Sequence, residues 1–392
     1  MWERWFRFQQ HGTTLRTEVL AGVTTFLTMS YIVFVQPAVM SGEIIGVESG
    51  IDSGAALVAT CLASALATAI MALYARYPIA LAPGMGLNFF FLVTIIPAAA
   101  AAKFESPWRV ALGIVFVSGV LFLILSLTPL RERIIEIISH DLKNAIAAGI
   151  GIFIAFIGLQ KAGIILPNPG TLVKLNTSFG SPDMMVFAMG LFTAAVLQAR
   201  RIPGAILWGI LAATVLAVIW RGVATLNPDS ALISESMLMK FTLAEGVFAL
   251  PPSLGPTFFQ LDVSAALSVS MMPFVIILLY MDVFDTTGTL IGVGQEAGLL
   301  KGGKLERGRR AFLADAIGTV GGSLLGTSPV TSYIESASGI EQGGRTGLTG
   351  LTVALLFLAA LFFSPVIQMV GSYPPITAPA LVIVGTLMIR SV

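Results

Sequence analysis

The sequence has few charged residues and a single cysteine. Only 11% of its 392 residues are Asp, Glu, Lys or Arg, less than half of the share in soluble domains. A soluble fold of this size needs a polar surface on all sides, and 22 basic with 21 acidic side chains are too few to form one. Cys61 alone excludes an internal disulfide and a cysteine-based metal cluster. The net charge of +1 predicts that the protein has no nucleic-acid partner.

Apolar residues are correspondingly abundant. They make up 56% of the chain, and the mean hydropathy is +0.90. Because a helix needs about 20 apolar residues to cross the hydrocarbon layer of a membrane, the sequence predicts an all-α polytopic membrane protein. Twelve stretches follow one another as candidate spans: 18–40, 55–75, 79–101, 108–128, 143–160, 183–199, 203–220, 263–290, 308–325, 327–341, 345–363 and 375–390.

Two stretches are polar by comparison. Residues 221–262 are rich in Pro, Ser and acids, which predicts an extramembrane connector with a short helix near 233–248. The first 16 residues are amphipathic, and no small-residue cleavage site follows, so we expect no signal peptide.

Basic residues are unevenly distributed between the two ends of the predicted spans. Sixteen Lys and Arg residues fall on one side and six on the other when the spans alternate in direction. Because basic residues accumulate on the cytoplasmic side, this predicts a multi-pass protein of the cell (inner) membrane with a cytoplasmic N-terminus.

Spans three and ten are poor helices. Each contains a proline within a run of small residues, and a polar side chain follows five or six positions later, at Asn88 and Glu335. The prolines, Pro83 and Pro329, are 246 positions apart, and the polar residues are 247 apart. Such paired interruptions indicate an inverted-repeat transporter with its binding site at the interruptions. The alternative is that Pro and Gly only permit tight helix packing, since both are common in membrane helices.

Four acids lie within predicted spans: Asp282, Asp285, Asp315 and Glu335. An ionised side chain at that depth costs about 2.5–3.5 kcal/mol even on lenient scales, which makes each acid a functional candidate. Asp282 and Asp285 share a helix face and resist ionising together, so one of them suits proton coupling. We expect the other to brace the turn at 286–289.

The remaining candidates are chosen by position. Glu335 is placed to accept two parallel hydrogen bonds from a planar heterocycle, and Asn88 offers both a donor and an acceptor. Asp315 shares a face with Gly318 and Gly322, where a bracing role is at least as well supported as a ligand role; with Gly326 these glycines form a small-residue packing stripe. The predicted substrate-binding residues are Asn88, Gly86, Asp282, Asp285, Glu335, Thr331 and Ser332, and the predicted proton-coupling residues are Asp282, Asp285 and Asp315.

Other chemistry has little support in the sequence. His11 and His140 do not have the spacing of metal ligands, and we expect neither a metal nor another cofactor. An intramembrane acid-pair enzyme would need two Asp from different helices, whereas Asp282 and Asp285 share one. A carrier of anions is disfavoured because the acids would repel its substrate.

Four blocks of the sequence resemble the AzgA-like purine permeases of the nucleobase–cation symporter family: residues 20–41, 80–91, 284–293 and 326–339. The similarity extends from about residue 4 to 390. The resemblance implies a seven-plus-seven inverted repeat with a core domain and a gate domain, and a purine bound between spans one, three, eight and ten. It also implies proton symport and a homodimer, and it assigns roles in the site to Asn88, to Asp282 or Asp285, to Asp315 and to Glu335.

The resemblance also predicts the domains. The core domain is expected over 1–128 and 263–364, the gate domain over 129–221 and 365–392, and the connector over 222–262. Family members have fourteen spans and this sequence has twelve. We therefore expect either a fragment or a truncated chain that lacks the last two gate helices.

The function predicted from the sequence is proton-coupled uptake of purine bases, guanine and hypoxanthine above all, with adenine as a further substrate. The alternatives are a carrier of the same fold for another nucleobase such as uracil or xanthine, a chain that binds purine without transporting it and, remotely, the acid-pair enzyme.

Overall fold

The computed structural model describes residues 5–46, 48–128, 140–177, 180–226, 236–301 and 304–390. Nearly all regular structure in these residues is helical. The described residues group into two compact units. Unit 1 is drawn from Met1–Gly42, Glu48–Ser139 and Leu250–Phe362, and unit 2 from Glu43–Val47, His140–Ala249 and Phe363–Val392.

Unit 1 consists of helices from both halves of the chain and of short strands. The helices are α1 (Leu15–Met29), α2 (Tyr31–Met40), α3 (Ser53–Ile70), α4 (Met85–Phe90), α5 (Ile96–Ala101), α6 (Pro107–Leu127), α10 (Val263–Ala266), α11 (Met272–Glu296), α12 (Gly308–Leu325), α13 (Ser336–Glu341) and α14 (Gly347–Ala360). The strands are β1 (Leu81–Pro83), β4 (Leu300–Lys301), β5 (Lys304–Leu305) and β6 (Val330–Ser332). Wider π-helical turns extend α3 over Met71–Ala75 and join α4 to α5 over Phe91–Ile95.

Unit 2 has fewer elements. Its helices are α7 (His140–Lys161), α8 (Pro182–Ala199), α9 (Ala205–Leu226), α15 (Ser364–Gly371) and α16 (Pro374–Arg390), and its strands are β2 (Ile165–Asn168) and β3 (Leu172–Leu175). Strands β2 and β3 form an antiparallel hairpin.

Seven helices of the described residues are long and apolar enough to cross a membrane: Leu15–Met40, Ser53–Ala75, Pro107–Leu127, Pro182–Ala199, Ala205–Leu226, Met272–Glu296 and Gly347–Gly371. Shorter apolar helices cover Met85–Ala101, Gly151–Lys161 and Pro374–Leu387. Five of the twelve predicted spans are not among these seven. Predicted spans 79–101 and 327–341 are only partly helical, and α12, which covers 308–325, carries three charged residues. Predicted spans 143–160 and 375–390 correspond to the shorter apolar helices Gly151–Lys161 and Pro374–Leu387 of the described residues.

The predicted connector has less helix than expected. In place of a helix near 233–248, the described residues contain a single 3₁₀ turn at Met237–Lys240. Residues 227–235 lie outside the described part of the chain. Pro251 and Pro252 follow within an irregular stretch, and proline does not continue a helix.

Polar side chains determine where several helices begin. The side chains of Thr14, Asp52, Ser181 and Thr346 each accept a hydrogen bond from a first-turn N–H group of the helix that follows, as N-cap residues do. The buried carboxylate of Glu18 adds a second cap to α14, because it accepts hydrogen bonds from the N–H groups of Arg345 (2.9 Å) and Thr346 (3.2 Å). This contact joins α1 to the start of α14.

Small residues allow α12 to approach its neighbours closely. A Cβ atom on Gly318 would lie 2.7 Å from the Cβ of Ala67 in α3, and one on Gly322 would lie 2.9 Å from Val330 in β6. Gly326, the third member of the predicted stripe, instead ends α12 with φ 103°, a backbone conformation that favours glycine. The glycines of α12 therefore place this helix directly against β6.

Unit 2 is held by glycine contacts and by one buried acid. A Cβ atom on Gly209 of α9 would lie 2.7 Å from the carbonyl oxygen of Gly190 in α8. Asp183, at the start of α8, accepts hydrogen bonds from the Ser236 hydroxyl (2.6 Å) and from the Tyr373 hydroxyl. Asp183 thereby fixes one end of α8 to the connector and to the residue before α16.

Candidate functional site

The two interrupted segments meet as a pair of antiparallel strands within unit 1. Strand β1 pairs with β6, with Ala82 opposite Thr331. The ladder continues beyond the strands, because the N–H of Gly84 donates to the carbonyl of Pro329 (3.0 Å) and the N–H of Tyr333 donates to that of Ala80 (2.9 Å). The pairing satisfies backbone groups that a broken helix would otherwise leave without partners.

A helix starts directly after each strand. Helix α4 begins at Met85, two residues after β1, and α13 begins at Ser336, four residues after β6. First-turn N–H groups have no partner within a helix, and they carry partial positive charge. Since β1 and β6 are paired, two helix N-termini start from the same small sheet. The first-turn N–H groups of α13 already donate to the carbonyls of residues 333–335, so α4 is the helix whose start offers hydrogen-bond donors to a polar ligand.

The four acids of the predicted spans fall into two pairs that differ in exposure. Asp282 is 1% exposed and Asp315 is 0% exposed. Asp285 is exposed and Glu335 is half-buried. Asp282 and Asp285 lie about 60° apart around α11 because each residue turns a helix by about 100°. That angle allows α11 to bury one carboxyl group and expose the other.

Hydroxyl groups surround the buried pair. Asp315 accepts hydrogen bonds from the hydroxyls of Thr286 and Ser332, both at 2.8 Å. Asp282 accepts one from Thr319 at 3.1 Å through Oδ2, and its Oδ1 atom is buried without a hydrogen-bond partner in the described residues. The pair therefore ties α11, α12 and β6 together and keeps one oxygen unpaired.

The accessible pair lies where α11 faces the start of α13. Glu335 is the residue before α13, and its Oε1 atom accepts a hydrogen bond from the Tyr31 hydroxyl of α2 (2.7 Å). Asp285 is within Coulombic range of Glu335. Next to Asp285 on α11, a Cβ atom added to Gly288 or Gly292 would meet nothing within 4 Å. Two carboxyl groups thus stand beside open space.

A chain of buried amides joins the two segments. The Nδ2 group of Asn88 in α4 donates to Oε1 of Gln36 in α2 (2.5 Å), and Nε2 of Gln36 donates to the hydroxyls of Thr327 (3.1 Å) and Ser328 (2.8 Å). Asn88 and Gln36 are both 0% exposed. The Oδ1 atom of Asn88 is buried and has no partner in the described residues. Asn88 therefore has one acceptor that a ligand or a water molecule could use.

Several known proteins are similar to this chain in sequence. The model of the Permease family, Xan_ur_permease, matches residues 16–392. The chain belongs to this family. It is 41% identical over 387 residues to the guanine/hypoxanthine permease PbuO of Bacillus subtilis, which covers 99% of this chain and 84% of the relative. It is 39% identical over 392 residues to the adenine permease AdeP of Escherichia coli, which covers 100% of this chain and 81% of the relative.

The fold also matches solved transporters. The transmembrane domain of the bicarbonate transporter BicA of a cyanobacterium superposes with a TM-score of 0.66, at 16% identity, over 96% of this chain and 89% of that domain. The expected fold class, an all-α multi-pass membrane protein of the inverted-repeat transporter type, is confirmed. The resemblance to purine permeases is also confirmed. The protein is a transporter and not an enzyme.

The permease brings most of the predicted site residues together in unit 1. Asp315, Thr331 and Ser332 belong to one buried hydroxyl and carboxyl network, because Ser332 donates to Asp315 and Thr331 contacts Thr286, which also donates to Asp315. Asp282 is bonded to Thr319. The hydroxyls of Thr331 and Ser332, predicted to bind substrate, are thus occupied within the protein. Their positions favour a bracing role.

The other predicted residues lie nearer to open space. Asp285 and Glu335 are accessible, and Gly86 is the second residue of α4 and half-buried. Asn88 belongs to the separate amide chain. Within the described residues, no Lys or Arg forms an ion pair with the four acids.

Four polar residues of the site were missed from the sequence: Tyr31, Gln36, Thr286 and Thr319. Gln36 is the one amide in an otherwise apolar helix and precedes Pro37. That position was the signal that could have singled it out, since a buried amide needs partners. Thr286 and Thr319 are common residue types in membrane helices, and nothing in their spacing marks them.

Proposed function

We propose that this permease imports purine bases across the cell membrane, guanine and hypoxanthine above all and adenine as well, in symport with protons. The accessible acid pair carries the proposal. Asp285 and Glu335 stand beside open space at the junction of the paired strands and the half-helices. The relatives named as guanine/hypoxanthine and adenine permeases support the substrate class.

Glu335 is the residue that recognises the purine. Guanine presents an N1–H group and an amino group on one edge, and a carboxylate accepts both in two parallel hydrogen bonds. Tyr31 donates to Oε1 and so orients the carboxylate. Asp285 holds a second polar edge of the base, and the first-turn N–H groups of α4 are donors for its acceptor atoms.

The buried pair carries the coupling proton. Hydroxyl groups donate to both Asp282 and Asp315, and Oδ1 of Asp282 has no partner in the described residues. A buried charge without a counter-ion is costly, so a proton held by one of the two acids stabilises the pair. Thr286 contacts both Asp315 and Thr331, and Thr331 belongs to β6. Loss of the proton therefore changes the hydrogen bonds that hold β6.

Transport follows by alternating access. Unit 1 carries the site and moves as a body with respect to unit 2, which exposes the base first outside and then inside. The excess of basic residues on one side supports a cytoplasmic N-terminus in the inner membrane of the cell. Release follows deprotonation in the cytoplasm.

Uptake by proteoliposomes tests the proposal. We expect radiolabelled guanine and hypoxanthine to accumulate when the outside is acidic, adenine to accumulate less, and uracil not at all. Dissipating the proton gradient with an ionophore should abolish accumulation. Uptake of uracil in preference to purines would contradict the substrate class, and purine accumulation that ignores the gradient would contradict the coupling.

Isothermal titration with guanine separates recognition from movement. The full chain in detergent should bind guanine whether or not it transports. Absence of binding would overturn the proposal as a whole.

A further inference from the structure

Helix α12 begins with arginine, whereas α1, α3 and α14 begin with a polar side chain that caps them. Arg307 occupies the N-cap position, Arg309 and Arg310 lie in the first turn, and no acidic side chain lies there. Arg307 makes no side-chain capping hydrogen bond. Positive charges are unfavourable at a helix N-terminus, because the N–H groups there are already partially positive. The start of α12 therefore combines the positive charge of three arginines with that of the helix N-terminus, and a bound anion would compensate both.

These three arginines have no acidic partner in the described part of the chain. The guanidinium group of Arg307 lies over the ring of Tyr77 (5.6 Å), and that of Arg310 lies over Tyr74 (5.5 Å). Arg309 donates to the carbonyl of Leu127 at 3.4 Å. None of these contacts neutralises a charge.

One donor of the cluster has no acceptor. Nε of Arg307 is buried and lacks a hydrogen-bond partner in the described residues, which costs free energy. Glu306 is adjacent and exposed, and its single negative charge leaves the cluster net positive.

An apolar surface leads up to the arginines. Leu66, Leu73 and Tyr74 are 46%, 43% and 46% exposed along one side of α3 and its π-helical extension. The Tyr74 end of this stripe lies next to the N-terminus of α12, because Arg310 lies over the ring of Tyr74. Gly321 of α12 lets Leu66 pack closely against this helix, because a Cβ atom there would lie 3.3 Å from Leu66. The stripe from Leu66 to Tyr74 is about 12 Å long at 1.5 Å per residue.

We propose that Arg307, Arg309 and Arg310 at the start of α12 bind the phosphate of an anionic phospholipid, whose acyl chain lies along Leu66, Leu73 and Tyr74. A free phosphate ion would satisfy the arginines and leave the apolar stripe unused. A phospholipid fits both, because its charged and apolar parts are joined. Tyr74 sits at the boundary between them, where aromatic rings prefer to lie in membranes.

Lipid binding to the full chain in a neutral detergent tests this site. Native mass spectrometry measures the affinity for dioleoylphosphatidylglycerol and for dioleoylphosphatidylcholine, which share acyl chains and differ in net charge. We expect the anionic lipid to bind at least tenfold more tightly, in line with the attraction of basic clusters for anionic lipids. Equal affinities would overturn the proposal.

The double variant Arg309→Gln/Arg310→Gln changes two exposed side chains. We expect its affinity for the anionic lipid to fall about tenfold or more, toward that for phosphatidylcholine. Arg109→Gln is the matched control, since Arg109 is also exposed in the first turn of a helix and lies over an aromatic ring, that of Trp108 (5.3 Å). An equal loss in both variants, or no loss in either, would contradict the site.

Two further arms keep the result interpretable. Arg309→Lys/Arg310→Lys retains the charge, so it should keep most of the preference for the anionic lipid even if the glutamine variant does not fold. Millimolar inorganic phosphate should displace little of the bound phosphatidylglycerol. Full displacement by phosphate would show that a soluble anion is the ligand and would overturn the lipid assignment.

Discussion

The two interrupted segments of unit 1 share a backbone plan and differ in their side chains. Each runs from a three-residue strand into a helix, and the strands pair with each other. The first segment contributes one polar side chain, Asn88, which points into a buried amide chain. The second contributes an accessible acid, Glu335, and a series of buried hydroxyls: Thr327, Ser328, Thr331 and Ser332.

This difference separates two tasks. The backbone of the two segments forms a small sheet that leads into two helices, and this sheet requires both segments. The polar side chains available for recognition and bracing are concentrated in the second segment. Substitutions at equivalent positions should therefore have unequal effects.

The largest expected effect comes from Glu335→Ala. Guanine binding should weaken about 100-fold or more, because two hydrogen bonds to a charged group, each worth about 1.5–3 kcal/mol, are lost. Titration calorimetry on the full chain measures this. Glu341→Ala is the control, since Glu341 is exposed at the end of the same helix, α13. Similar losses in both variants would show that the effect is not local.

Asp315→Ala should destabilise the fold. The change leaves the hydroxyls of Thr286 and Ser332 without their acceptor, and each orphaned group costs about 1–3 kcal/mol. We expect the free energy of unfolding to fall by about 2–4 kcal/mol. Asp285→Ala should change it by less than about 0.5 kcal/mol, because Asp285 is exposed. Chemical unfolding in detergent compares the two variants, and the opposite ranking would refute the division into bracing and accessible acids.

Tyr31→Phe should weaken guanine binding about tenfold. The variant removes the hydroxyl that holds Oε1 of Glu335, at a cost near the lower end of hydrogen bonds to charged groups. Tyr280→Phe removes a hydroxyl from a tyrosine that is 40% exposed on α11 and should leave the affinity unchanged. If Tyr31→Phe binds guanine normally, Glu335 does not depend on Tyr31 for its orientation.

Gln36→Met should have the smallest effect on recognition. It breaks the contact with Asn88 and the contacts with two hydroxyls of the second segment. We expect a stability loss of about 1–3 kcal/mol and a change in guanine affinity below about threefold, measured on the same sample. A loss of affinity as large as that of Glu335→Ala would mean that the first segment also recognises the base.

The sequence predicts the interruptions and not their pairing. Pro83 and Pro329 mark where helical hydrogen bonds fail, because proline lacks an N–H group. Which strand each segment pairs with depends on the packing of distant helices. Local sequence does not contain that information.

The sequence also does not predict which of the acids are buried and which are accessible. The sequence singles out Asp282 and Asp285 by their cost in a membrane, but burial depends on where α12 places Thr319 against α11. Tyr31 and Gln36 are uncharged within an apolar stretch, so no comparable cost marks them. Their roles follow only from contacts with residues far along the chain.

The pairing of β1 with β6 also sets a schedule for biogenesis. Ala82 cannot complete its ladder until Thr331, its partner, has been synthesised. At about 5–20 residues per second, the ribosome needs about 10–50 s for the intervening chain. During that interval the backbone of the first strand must stay away from hydrocarbon, where unpaired N–H and C=O groups are costly. The candidate site is therefore completed late, and a nascent chain arrested before β6 contains the first strand without its partner.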